Sequence, residues 1–121
     1  MVQLPRHTAH NEVPKVTIHQ LKRFLEINPD LVVLDAQQKS AYEQGHIKGA
    51  INLPWKQKIT AIDARFLPRD KSIVVYCDCG PQDTDSSEVA AQLLGLGFND
   101  VKVLTHPSIK GWIEAGYPTE K

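Results

Sequence analysis

At 121 residues the chain is long enough to bury one core without metal or disulfide staples, and its 14 basic and 14 acidic side chains leave a formal net charge of zero. With no block of like charge, no signal-peptide h-region after Met1 and no apolar run of membrane-spanning length, nucleic-acid and membrane partners are excluded and a cytoplasmic location is expected. The two cysteines are spaced Cys-x-Cys; near neighbours on a chain seldom reach disulfide geometry, so both are expected as free thiols in a reducing compartment.

Residues 1–13 show no periodic pattern and read as a flexible leader; His7 and His10 lack the neighbouring acid or cysteine that a metal site needs. Thr17-Ile18-His19-Gln20 has the form of a capping box, and Ile18, Leu21, Phe24 and Leu25 then share one helical face until Asn28-Pro29. Leu31 to Leu34 is a buried strand that Asp35 terminates, and an acid at a strand's end serves as a cap for the following turn. Ala41 to Gln44 is a short helix stopped by Gly45, and Ala50 to Leu53 a short strand stopped by Pro54. His46 lies between them in a tight turn; a histidine pinned there by backbone hydrogen bonds is a commoner case than a general base. Ile59, Ile62 and Phe66 at helical spacing predict an amphipathic element over Trp55 to Phe66, its aromatics in the core.

The run Ile73-Val74-Val75-Tyr76 is rich in β-branched residues and predicts a strand buried on both faces, with Cys77 at its carboxyl end. In open α/β sheets ligands bind beyond the carboxyl ends of strands. A helix predicted over Ser87 to Leu96 would turn its positive end toward that sulfur and favour a thiolate. Gly97 closes the helix, Val101 to Leu104 is a last strand, and residues 108–115 form a short helix with Trp112 facing inward and Gly116 as its stop. Alternating strands and helices imply an α/β fold, a parallel central sheet with helices on both faces. No glycine-rich phosphate loop or zinc-spaced cysteine set is present, so no cofactor or metal is expected.

Four motifs together resemble the single-domain rhodaneses, or thiosulfate sulfurtransferase-like domains. They are Leu34-Asp35; Tyr42-Glu43-x-Gly45-His46-Ile47-x-Gly49-Ala50-Ile51-Asn52-Leu53-Pro54; Val74-Val75-Tyr76-Cys77-x-x-Gly80; and Trp112-x-x-Ala115-Gly116-Tyr117-Pro118. The resemblance covers a domain from residue 14 to 121 and implies a sulfurtransferase in which Cys77 takes a sulfane sulfur as a persulfide and passes it to a thiol or protein acceptor. Asp78, Cys79, Gly80, Pro81 and Gln82 would then cradle the persulfide with backbone N–H groups, while Asp35 and His46 support the site.

The rim departs from the family pattern. Gln82 stands where an arginine is usual, and no lysine or arginine occurs between Cys77 and Ala91, whereas Asp78, Asp83, Asp85 and Glu88 do. The stretch from Gln82 to Ala90 is about one helical turn longer than usual. Asp35-Ala36-Gln37 replaces Asp-Val-Arg, and Thr105-His106-Pro107 stands in place of a glycine pair. An acidic mouth disfavours the thiosulfate dianion, so the expected donor is a persulfide, a polysulfide or a protein. Two other readings stand beside this one: a catalytically weak rhodanese-like binding or regulatory module, and a phosphatase or arsenate reductase that lacks its cationic clamp. Cys79 is expected as a loop residue, or as a thiol that resolves an oxidised form of Cys77.

Overall fold

A computed structural model of the protein describes residues 13–121. The expected leader over 1–13 lies outside the described residues except for Val13, which is buried. In chain order the elements are β1 (Lys15–Val16), α1 (Ile18–Ile27), β2 (Val32–Asp35), α2 (Lys39–Gln44), β3 (His46–Ile47), β4 (Ile51–Asn52), β5 (Ile73–Tyr76), α3 (Thr84–Gly95), β6 (Val101–Leu104), α4 (Ser108–Glu114) and β7 (Thr119–Glu120).

Five strands form one sheet in the order β1-β6-β5-β2-β4, every pair parallel. Strand β5 sits in the middle, in register with β2 (Leu34 beside Val75, Asp35 beside Tyr76) and with β6 (Val75 beside Val103). All four of its residues are buried, as a β-branched run covered on both faces requires. Because side chains alternate, Ile73, Val75 and then Cys77 join the core under α3, with Val89, Ala90 and Leu93. Val74 and Tyr76 join the core on the other face, with Leu21 of α1 and Ile109 and Trp112 of α4. Each fully buried aliphatic side chain contributes about 1.5–3 kcal/mol, so this alternation fixes which way Tyr76 and Cys77 point. A slip of one residue would reverse both.

The capping box forms as read: Thr17 Oγ1 accepts from Gln20 N–H at 3.1 Å, and Thr17 N–H donates to Gln20 Oε1 at 2.8 Å. Three expectations need correction. Trp55 to Phe66 is a series of turns and not a helix. Its core contacts come from Ile59, Ala64 and Leu67, while Ile62 and Phe66 are 71% and 47% exposed. Thr60 and Asp63 bond each other's backbone N–H groups and hold the segment as a local turn. Second, α3 begins at Thr84, three residues before Ser87: the polar Thr84-Asp85-Ser86 carries no apolar periodicity, so the extra turn is invisible to it. Third, Val101–Leu104 is not the last strand, since β7 pairs antiparallel with β3 and places His46 beside Glu120. Two-residue strands are too short to show alternation.

Candidate functional site

Cys77 follows β5 directly and is 1% exposed. The chain then turns away through a β-turn in which Asp83 N–H donates to Gly80 C=O at 3.1 Å. Gly80 adopts φ +90°, a left-handed conformation that glycine takes without steric cost. Asp83 is also left-handed, with φ 51°, and caps the amino end of α3 from a buried position. Its carboxylate does not bond the helix; Oδ2 accepts from His106 N–H at 3.0 Å, tying the loop to the end of β6.

In this geometry the first turn of α3 lies against the cysteine. Ser86 Oγ is 3.3 Å from Cys77 Sγ and donates to Asp83 C=O at 3.2 Å. Ser86 is fully buried, and sequence reading did not single it out because it precedes the apolar part of the helix. A hydroxyl within reach of sulfur at a helix's positive end is an arrangement that stabilises a thiolate or a persulfide anion.

The expectation of two free thiols is corrected: Cys77 and Cys79 are joined as a disulfide. Their Cα atoms are 5.5 Å apart, inside the range such bonds span, because the chain bends back after Cys77. Cys79 packs, partly exposed, against the same core cluster as Cys77 and Trp55. Asp78, between the two, is exposed, as are Pro81 and Gln82.

The mouth is also less acidic than the local sequence suggests. Lys110 of α4 brings its Nζ to 3.9 Å from Asp78 Oδ1, and Lys15 of β1 to 3.8 Å from Asp83 Oδ2. Lys15 Nζ also donates to Ser87 Oγ at 3.2 Å. Glu88 accepts from Trp55 Nε1 at 2.7 Å, which fastens the turn segment over 53–72 to α3. Partial burial, with the Glu88 charge as a smaller cause, raises the Asp85 carboxyl above its ordinary range. Two of the four carboxylates therefore have cations that only the fold brings to them.

Asp35 and His46 lie on the opposite face from Cys77. Asp35 is fully buried; its Oδ1 accepts from Gln37 N–H at 2.7 Å and its Oδ2 from Gln37 Nε2 at 2.9 Å and from the Tyr76 hydroxyl. The Tyr76 hydroxyl in turn accepts from Ile47 N–H at 3.0 Å. Burial raises the Asp35 carboxyl above its usual range, against the lowering effect of these hydrogen bonds. The Tyr76 phenol is raised as well, by burial first and by the Asp35 charge second. His46 Nδ1 lies 2.7 Å from Tyr42 C=O, its ring stacks on Tyr42 at 3.8 Å, and its Nε2 is 3.4 Å from Glu120 Oε2.

Among the described residues no group of three or more His, Cys, Asp or Glu side chains could hold a metal, and no helix is long and apolar enough to cross a membrane. A cleft of about 220 Å³ lined by Phe24, Ile27, Leu31, Ser72, Val74 and Lys102 lies at the amino end of β5, the far end from Cys77.

Residues 17–115 match the family described as rhodanese-like domain. The chain is 34% identical over 96 residues to the adenylyltransferase and sulfurtransferase UBA4 of Meyerozyma guilliermondii, covering 74% of this chain and 21% of that protein. It is 27% identical over 84 residues to the thiosulfate sulfurtransferase PspE of Escherichia coli strain K12, covering 64% of this chain and 78% of that one. The solution structure of the rhodanese-like domain of Alr3790 from Anabaena sp. superposes with a TM-score of 0.74 at 31% identity, covering 88% of this chain and 78% of that one.

Proposed function

The chain belongs to the rhodanese-like domain family, its relatives include named sulfurtransferases, and on that premise we propose that it relays sulfane sulfur through a persulfide on Cys77. The observation that carries this reading is the position of Cys77 Sγ, at the carboxyl end of the central strand and 3.3 Å from Ser86 Oγ in the first turn of α3. With the pair reduced, the Cys77 thiolate attacks the outer sulfur of a donor R–S–SH. The sulfur–sulfur bond of the donor breaks, R–S⁻ leaves with its electron pair, and Cys77–S–SH forms. An acceptor thiol or a protein acceptor then removes the outer sulfur. Ser86 swings its proton from Asp83 C=O to the anionic sulfur, and Gly80 and its neighbours Asp78, Cys79, Pro81 and Gln82 shape the wall around it. Asp35 and His46 act at a distance, by holding the strand ends on which the site is built.

The donor is a persulfide, a polysulfide or a protein in preference to free thiosulfate. Gln82 supplies no fork for a dianion, and although Lys110 and Lys15 offset Asp78 and Asp83, Asp85 and Glu88 still border the entrance. The same lack of a cationic clamp weighs against a phosphatase or arsenate reductase. A reducing, cytoplasmic setting would return the cysteine pair to the dithiol between turnovers. Intact-protein mass spectrometry after glutathione persulfide, polysulfide and thiosulfate tests the relay under anaerobic conditions. A gain of one sulfur atom is expected with the first two donors and is abolished in Cys77→Ser. Equal loading of that variant would overturn the assignment of Cys77.

A further inference from the structure

In the simple relay Cys79 lines the wall and its thiol does no chemistry, yet the structure bonds it to the sulfur that the relay uses. We propose that Cys79 is a resolving residue that discharges the Cys77 persulfide as hydrosulfide, giving the protein a sulfane-sulfur reductase activity; this rests on the persulfide reading above. The Cys79 thiolate attacks Cys77 Sγ, the inner sulfur of Cys77–S–SH. The Cys77–Cys79 bond forms, the bond to the outer sulfur breaks, and that sulfur departs as HS⁻ with the bonding pair. The thiol proton of Cys79 goes to solvent. Two cysteine thiols are thereby oxidised to the disulfide and one sulfane sulfur is reduced to sulfide, with no other oxidant. A thiol or dithiol reductant then reopens the pair.

Three features support this step. The Cα atoms of the two residues stand 5.5 Å apart, within the range that a disulfide spans. Cys77 is 1% exposed, which hinders a bulky external thiol from reaching its inner sulfur, whereas Cys79 is covalently tethered two residues away and packs on the same cluster. Lys110, 3.9 Å from Asp78 Oδ1, offsets the carboxylate that stands between the two thiols and would otherwise oppose the second thiolate. The disulfide in the structure is then the discharged state of the cycle.

The experiment uses the full chain, reduced, freed of reductant under anaerobic conditions, exposed briefly to inorganic polysulfide and desalted. Wild type is expected to release one hydrosulfide per chain, read with a sulfide-selective probe, and to end lighter than the reduced protein by two hydrogen atoms. The rate should be independent of protein concentration, as an intramolecular step demands. Cys79→Ser should hold the added sulfur at least about tenfold longer, and Cys77→Ser should neither load nor release. A wild-type persulfide as long-lived as that of Cys79→Ser, or a release rate proportional to protein concentration, overturns the resolving role while leaving the relay standing. If neither wild type nor Cys79→Ser takes up sulfur, the relay itself is overturned and this step with it.

Discussion

Tyr76 and Cys77 are consecutive residues at the end of one strand, both buried to 1% exposure or less, and the strand's alternation sends them to opposite faces of the sheet. On the α1/α4 face the Tyr76 hydroxyl donates to Asp35 and accepts from Ile47 N–H, and the Asp35 carboxylate is further satisfied by Gln37. That network is closed, and each group in it would be costly to leave unpaired in a low-dielectric interior. On the α3 face the Cys77 sulfur lies beside the Ser86 hydroxyl and is joined to the Cys79 sulfur. The difference separates frame from chemistry. One face holds the strand ends at fixed positions through the paired groups of Tyr76, Asp35, Gln37 and Ile47, and the other carries the sulfur that the proposed relay needs to change its covalent partner.

The largest effect expected from breaking this division is on the frame. Tyr76→Phe removes one hydroxyl but strands two groups, the Asp35 carboxylate on one side and Ile47 N–H on the other. Leaving both underserved costs roughly 2–4 kcal/mol, which for a chain of this size lowers Tm by about 10 °C. Thermal unfolding by circular dichroism reads the loss. Sulfur loading per folded molecule, by intact mass below the transition, should match wild type; a collapse of loading in a variant that still folds would show that the two faces are not separable.

A subtler change sharpens the same contrast through pH. Burial lifts the Asp35 carboxyl above its ordinary value of 3.8, so between the two values the folded protein binds more protons than the unfolded chain. The stability this confers is complete below 3.8 and is lost as pH rises through the raised folded value. Asp35→Asn keeps the shape and one acceptor oxygen, enough for Gln37 N–H, and cannot ionise. It loses the second acceptor, which serves Gln37 Nε2 and the Tyr76 hydroxyl, at a cost that does not vary with pH. Its stability relative to wild type should therefore increase from acid to neutral pH, measured by urea unfolding at several pH values. A difference independent of pH would mean that the Asp35 carboxyl titrates alike in the folded and unfolded chains.

Much of the frame was legible in the sequence and much of the rim was not, for a physical reason. The β-branched run Ile73 to Tyr76, the capping box at Thr17 and the glycine-bounded stretch Gly45 to Pro54 are local patterns whose geometry follows from residues close in sequence. The pairing of β3 with β7, the approach of Lys110 to Asp78 and of Lys15 to Asp83, and the seat of Ser86 beside Cys77 arise only when distant segments are folded together. Reading the carboxylates between Cys77 and Ala91 without those lysines overstated the negative charge. The spacing of Ile59, Ile62 and Phe66 misled differently: Pro54 and Pro68 bracket a segment whose Thr60–Asp63 turn sends Ile62 and Phe66 toward solvent.

The smallest expected effect lies on the rim, where charge is exposed and screened. Lys110 and Asp78 are about two-thirds and two-fifths exposed at 3.9 Å, so their pair contributes little to stability but still sets the potential met by an arriving anion. Removing Lys110 by Lys110→Ala should lower kcat/KM for thiosulfate about two- to fivefold, because Asp78 is then uncompensated beside Cys77. Gln82→Arg should raise it by a similar factor, since the arginine offers two parallel N–H donors to the donor's oxygens. With a monoanionic persulfide donor both changes should shrink, because the interaction scales with donor charge, and high salt should shrink them again. Steady-state kinetics with both donors at two ionic strengths separates the cases. If the two substitutions move thiosulfate turnover in the same direction, or act equally on both donors, then charge at this rim does not select the donor. The preference would then have to come from the shape of the loop around Cys77.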